Sequence, residues 1–250
     1  VATDYYWRVI ADLGTEGKSI SDSSSFKTES DAPRNLYVDG VTNMRDLGGW
    51  KCGDDSRVKQ GLLYRCGRLN KSAVDEVTIE ITDEGKKTMK EELGVRSEID
   101  LRKTNDNEVG SITESPLGSD VQYFSCPMEY DGDNLLTDNK KMIAEIFSIL
   151  ANKDNYPIIY HCNIGTDRTG LISFLVNGLM GVSEEDLYRD YLFSNFGKIN
   201  SARSLRYINA YVTTIKKYSG ATLQEKTENC LVALGIAKAD IDSMRAILTA

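Results

Sequence analysis

Residues 157–170, Pro-Ile-Ile-Tyr-His-Cys-Asn-Ile-Gly-Thr-Asp-Arg-Thr-Gly, leave this chain very few architectures. Ile158, Ile159 and Tyr160 lead through His161 to Cys162, a short polar loop follows, and Arg168 then opens an apolar run from Leu171 to Met180. An apolar run of strand length, a tight turn and an apolar run of helix length predict a buried strand, a loop and a buried helix. Such a unit belongs in an α/β sheet. The loop falls at a helix N-terminus, where unpaired N–H groups and the helix dipole favour an anion. A thiol in that field is favoured as the thiolate, its nucleophilic form. Arg168 stands six positions after Cys162, where a curled loop can present its planar fork to two oxygens of a bound oxyanion. The expected chemistry is a nucleophile aimed at a held oxyanion. The plainer reading is a buried cysteine beside a strand-to-helix turn.

The pattern Cys-x5-Arg-Thr preceded by His resembles the phosphate-binding loop of the cysteine-dependent protein tyrosine phosphatase superfamily. Two further stretches, Asn43-Met44-Arg45-Asp46-Leu47-Gly48-Gly49 and Tyr64-Arg65-Cys66-Gly67-Arg68-Leu69, resemble segments of one branch, the secreted bacterial tyrosine and phosphoinositide phosphatases. So does Asp100-Leu101-Arg102 with Glu108. The resemblance implies an α/β fold, a central mixed sheet flanked by helices, with a helical C-terminal tail. It implies that Cys162 attacks phosphorus and that the loop Cys162, Asn163, Ile164, Gly165, Thr166, Asp167 and Arg168 holds the phosphate. Thr169 would stabilise the departing thiolate, and His161 would orient the loop. No metal or cofactor is implied.

A protonated carboxyl is needed to release the leaving group. In related phosphatases that acid lies about thirty residues before the nucleophile. Asp131 precedes Cys162 by 31 residues and Asp133 by 29, both in the acidic stretch Glu129-Tyr130-Asp131-Gly132-Asp133-Asn134, which is also good turn chemistry. Asp167, inside the loop, is the rival. Arg45, Arg65 and Arg68 read either as clamps on phosphate or as salt bridges holding a Gly-rich turn, and Asp100 with Arg102 as a ligand-facing strand end or an internal ion pair. Cys66 reads either as a redox partner for Cys162 or as a plain buried thiol.

The remaining periodicity predicts a helix from Asp83 to about Leu93, capped by Thr82 and stopped by Gly94, and strands over Val95 to Arg102 and Val121 to Met128. Helices follow over Asn139 to Leu150, from a capping box at Ser183, over Ser201 to Tyr218, Thr222 to Leu234 and Lys238 to Leu248. This tail either packs on the sheet or covers the site.

Composition sets outer bounds. The 250 residues carry a net charge of −8 and no basic block, so neither nucleic acid nor an anionic membrane is an expected partner. No apolar run reaches the roughly 20 residues of a membrane span. Five irregularly spaced cysteines suggest neither a disulfide framework nor a zinc site. Residues 1–30 differ from the rest: Tyr5 to Asp12 and Ser21 to Thr28 are strand-like around a turn at Gly14 and Gly17. They resemble the last two strands of a fibronectin type III-like module and predict a β-hairpin appendage ahead of a catalytic domain over 35–250. With a start at Val1 that shows neither an initiator Met nor a signal peptide, the chain reads as a piece of a longer, secreted or cell-envelope protein, a cytoplasmic one being the alternative.

The expected partner is a phosphorylated substrate. Phosphoinositide-active relatives carry Lys where this chain has Thr166, and losing that cation removes a partner for a second phosphate. Phosphotyrosine or a small aryl phosphate is therefore the first expectation, and an inositol phosphate or phosphoinositide the second. A catalytically silent phosphate-binding module and a thiol-based sulfur carrier complete the alternatives.

Overall fold

The computed structural model describes residues 3–53, 55–70, 80–103, 112–130, 134–197 and 202–249, which fall into two units, Val1–Asp31 and Ala32–Ala250. The first unit is an antiparallel ribbon. Strand β1 (Asp4–Trp7) pairs with β4 (Ser24–Lys27), and β2 (Ile10–Asp12) with β3 (Lys18–Ile20). The polar Lys18–Ile20 strand was not expected; it forms because a 3-10 turn at Gly14–Glu16 reverses the chain, with Gly14 and Gly17 at φ 65° and 91°. All strand residues here are exposed, so cohesion comes from the ladder and from cross-strand pairs such as Tyr5 and Phe26, whose rings stack at 5.3 Å.

The second unit is built on a six-stranded sheet. Its strands are β5 (Arg34–Asn35), β6 (Arg45–Asp46), β7 (Leu63–Cys66), β8 (Ser97–Asp100), β9 (Gln122–Ser125) and β10 (Ile158–His161), in the spatial order β5-β6-β7-β10-β8-β9. Pairing from β7 through β10 and β8 to β9 is parallel, and β5 and β6 add an antiparallel edge. The sheet is therefore mixed, as expected. Every residue of β10 is buried, with Ile158 and Tyr160 in the larger of two cores and Ile159 in the smaller. Alternation along the strand feeds both faces, which is why its sequence is apolar throughout.

Helix α1 (Asp83–Lys87) covers the smaller core. Thr82 caps it by accepting from the Gly85 N–H, but its second half widens into a π turn over Thr88–Glu92 before Gly94 stops it. The larger core is covered by α2 (Leu135–Asp138), α3 (Lys140–Leu150), α4 (Asp167–Met180), α5 (Glu184–Phe193), α6 (Arg206–Ile215), α7 (Leu223–Ala233) and α8 (Lys238–Leu248). Helix α4 is buried from Arg168 to Met180 and ends on Gly181 in the left-handed conformation. Helices α5 to α8 put Leu187, Tyr191, Ile208, Tyr211, Ile215, Leu231, Ile241 and Met244 into this core, so the tail packs against the body of the domain. Within the described residues no helix is long and apolar enough to cross a membrane.

Candidate active site

Register brings the chemistry together. His161 lies opposite Cys66 on one side and Asp100 on the other, so three parallel strands end level and the loop after β10 leaves from the carboxyl edge of the sheet. That edge is where α/β folds hold ligands. Cys162 follows β10 and is 2 % exposed.

The loop is held from behind by its carbonyl oxygens. Arg68 donates its N–H to Asn163 O at 3.0 Å and its Nη1 to Asn163 Oδ1 at 2.9 Å. Asn43 Nδ2 donates to Ile164 O at 3.1 Å and Gly165 O at 2.9 Å, and Arg65 Nη2 to Gly165 O at 2.8 Å. In a trans peptide the N–H points opposite to the C=O. Fixing these three carbonyls outward therefore turns the N–H groups of Ile164, Gly165 and Thr166 the other way, and none of these donates to a described residue. Gly165 makes the curl possible: its φ is 71°, and a Cβ there would lie 2.2 Å from Cys66 O.

Arg45 and Arg65, both buried, are braced by one carboxylate. Arg45 Nε and Arg65 Nη1 reach the two oxygens of Asp190 at 2.9 and 2.7 Å, and Arg45 Nη1 also donates to Asn43 Oδ1 at 2.6 Å. Burial alone would push the Asp190 carboxyl up; the two guanidiniums outweigh it and hold it below its ordinary value. Neither arginine reaches solvent, so both stand behind the loop and hold it. Sequence reasoning places Asn43 within a motif and gives neither it nor Asp190 a role in the site.

Under Cys162 lies a second buried network. His161 Nε2 is 2.9 Å from Glu98 Oε1 and its Nδ1 is 3.2 Å from Cys162 O, so the ring holds the Cys162 carbonyl and both of its nitrogens are engaged. Asp100 and Arg102 form an internal ion pair at 2.6 Å, and Ser115 donates to Glu98. Burial raises the Asp100 carboxyl, but His161 and Arg102 together bring it below the usual range. Glu98, Asp100 and His161 offer ligand atoms within 4.8 Å of one another, yet their oxygens are already engaged by these donors. Cys66 is a free thiol that burial pushes well up, with Glu98 and Cys162 adding to the effect, and it sits in the smaller core, whereas Cys162 belongs to the larger.

Arg168 Nη1 donates to Leu101 O at 3.2 Å and Met128 O at 3.4 Å, and its guanidinium lies 5.2 Å from the centre of the Tyr130 ring. Asp131 and Asp133 lie outside the described residues, as does Glu108. Asp167 starts α4, and its carboxylate accepts from Tyr191 Oη at 3.1 Å and from Arg203. The Thr169 hydroxyl is buried with no hydrogen-bond partner among the described residues.

The sequence profile of the family described as "Tyrosine phosphatase family" matches residues 36–250. A Cupriavidus necator protein whose name assigns it to the tyrosine-protein phosphatases is 26 % identical over 182 residues, 64 % of this chain and 63 % of its own length. The chain thus spans less than two thirds of that relative. Among solved structures, the core catalytic domain of the PP-IP phosphatase SIW14 from S. cerevisiae, in complex with citrate, is 17 % identical over 71 % of this chain and 87 % of its own, with a TM-score of 0.41. TpbA from P. aeruginosa is 16 % identical over 74 % and 96 %, with a TM-score of 0.43.

Proposed function

The chain belongs to the tyrosine phosphatase family, and from that premise we propose that it hydrolyses phosphate monoesters through a phosphocysteine intermediate, with phosphotyrosine or a small aryl phosphate as substrate. The observation that carries the reading is the outward fixing of the Asn163, Ile164 and Gly165 carbonyls, which aims three N–H groups into the loop that Cys162 opens and Arg168 closes. Such preset donors hold equatorial phosphate oxygens without reorganisation. The Cys162 thiolate attacks phosphorus, the S–P bond forms, and the P–O bond to the leaving group breaks as an aspartate protonates that oxygen. Water then attacks phosphorus, gives its proton to the same carboxylate, and the S–P bond breaks to return phosphate and thiolate. The Thr169 hydroxyl, without a hydrogen-bond partner among the described residues, suits the role of stabilising that departing thiolate.

The acid is assigned to Asp131. Its neighbour Tyr130 packs on the Arg168 guanidinium, whereas the Asp167 carboxylate is occupied by Tyr191 and Arg203. Asp131→Asn is expected to slow turnover of poor leaving groups by about 10²–10⁴-fold and to spare the best one, with Asp133→Asn and Asp167→Asn as comparisons. For substrate choice, Thr166 is buried and uncharged, so it gives a second phosphate no cation. The resemblance of residues 1–30 to part of an exported module supports a secreted or cell-envelope location, which fractionation of the source cells would test.

Phosphate release should be measured across phosphotyrosine peptide, phosphoserine peptide, an aryl phosphate and inositol phosphates, with Cys162→Ser beside the native chain. Turnover of the aromatic esters that disappears in Cys162→Ser is the expected result. Turnover confined to inositol phosphates would replace the substrate assignment, and an active Cys162→Ser would end the covalent mechanism.

A further inference from the structure

The loop carries a carboxylate where it has to hold a dianion. Asp167 immediately precedes Arg168, and a bare negative charge within a Debye length, about 10 Å, of a bound phosphate opposes it. The fold answers this from the tail. Arg203 Nε lies 3.3 Å from each Asp167 oxygen and its Nη2 lies 3.2 Å from Oδ2. Arg203 is itself presented rather than loose: its N–H donates to Asn195 Oδ1 at 2.7 Å and its carbonyl accepts from Asn195 Nδ2 at 3.1 Å. One amide side chain thus clasps the backbone of the residue whose guanidinium clasps the loop. Tyr191 adds its hydroxyl to Asp167 Oδ1, and Tyr211 donates to Asp167 O at 3.3 Å.

Resting on the phosphatase reading above, we propose that Arg203 is a positioning residue that serves as counter-ion to Asp167, so that the loop's affinity for a phosphate dianion depends on the helical tail. Two features support it. The side chains of the pair are 19 % and 21 % exposed, so the charge of Asp167 is only partly screened by water. And the residues that deliver Arg203 follow directly on α5, whose Asp190 already braces the back of the loop, so one segment both shapes the loop and neutralises it.

The test is a double-mutant cycle read by binding of inorganic phosphate, and by inhibition with it, at fixed pH and ionic strength. Arg203→Gln is expected to weaken phosphate binding about tenfold and to raise KM for an aryl phosphate more than it lowers kcat, the order expected when a unit charge near a dianion loses its partner. In the Asp167→Asn background Arg203 is left as an uncompensated cation, so the double variant, with both charges gone, should bind phosphate within about twofold of the native chain. Arg203→Lys should keep most of the native affinity and covers the case in which Arg203→Gln folds poorly. A double variant that binds phosphate as weakly as Arg203→Gln alone, or native affinity in Arg203→Gln, would overturn the proposal. Native protein that binds phosphate but releases none from any ester would remove the hydrolase reading and leave the cycle interpretable.

Discussion

At the scale of single residues, the nucleophile and its arginine announce themselves, whereas the groups that hold them do not. Cys162 and Arg168 stand six positions apart, a spacing that one loop imposes. Asp190 meets Arg45 and Arg65 across 145 and 125 residues, and nothing local marks either pairing. Its removal is correspondingly costly: Asp190→Asn leaves two buried guanidiniums without a countercharge and is expected to destabilise the fold by about 3–5 kcal/mol in chemical denaturation. The pH dependence has a definite sign. The Asp190 carboxyl is depressed in the folded protein, so its contribution is complete above its unfolded value of about 3.9 and is lost as pH falls through the folded one. Thermal melts of the native chain should therefore fall steeply below about pH 4, and those of Asp190→Asn less so.

At the scale of elements, the strand-loop-helix unit was fully legible because its signals are local: apolar runs of two lengths either side of a polar turn. Caps were legible for the same reason at Thr82 and at Ser183, whereas the Thr222–Glu225 capping box was read only as the start of a helix. Strand ends were not, since β8 and β9 stop at Asp100 and Ser125 where pairing stops, short of where the apolar pattern does. The π turn of Thr88–Glu92 carries no mark in composition. The curl at Gly165 is tight: its positive φ and its contact with the Cys66 carbonyl both exclude a side chain. Gly165→Ala is expected to cost upwards of about 1–2 kcal/mol from the backbone conformation alone. Displacement of the loop should also abolish phosphate binding, and calorimetry on protein shown to be folded would check this.

At the scale of the whole molecule, the mixed sheet followed from the family resemblance and the helical tail from its periodicity, but the tail's hold on the loop did not follow from either, because it depends on which side chains meet in space. Among the described residues, every buried hydrophobic side chain of the core belongs to residues 32–250. Removing residues 1–31 is therefore expected to leave both melting temperature and kcat/KM of the remaining domain unchanged within error. A loss of either would show that the ribbon contributes to the catalytic unit. The most direct test of the covalent mechanism is to quench the enzyme with acid during turnover of a ³²P-labelled aryl phosphate and map the label. One phosphoryl group on Cys162, absent from Cys162→Ser, is the predicted result. Undiminished turnover with no label on any cysteine would contradict it.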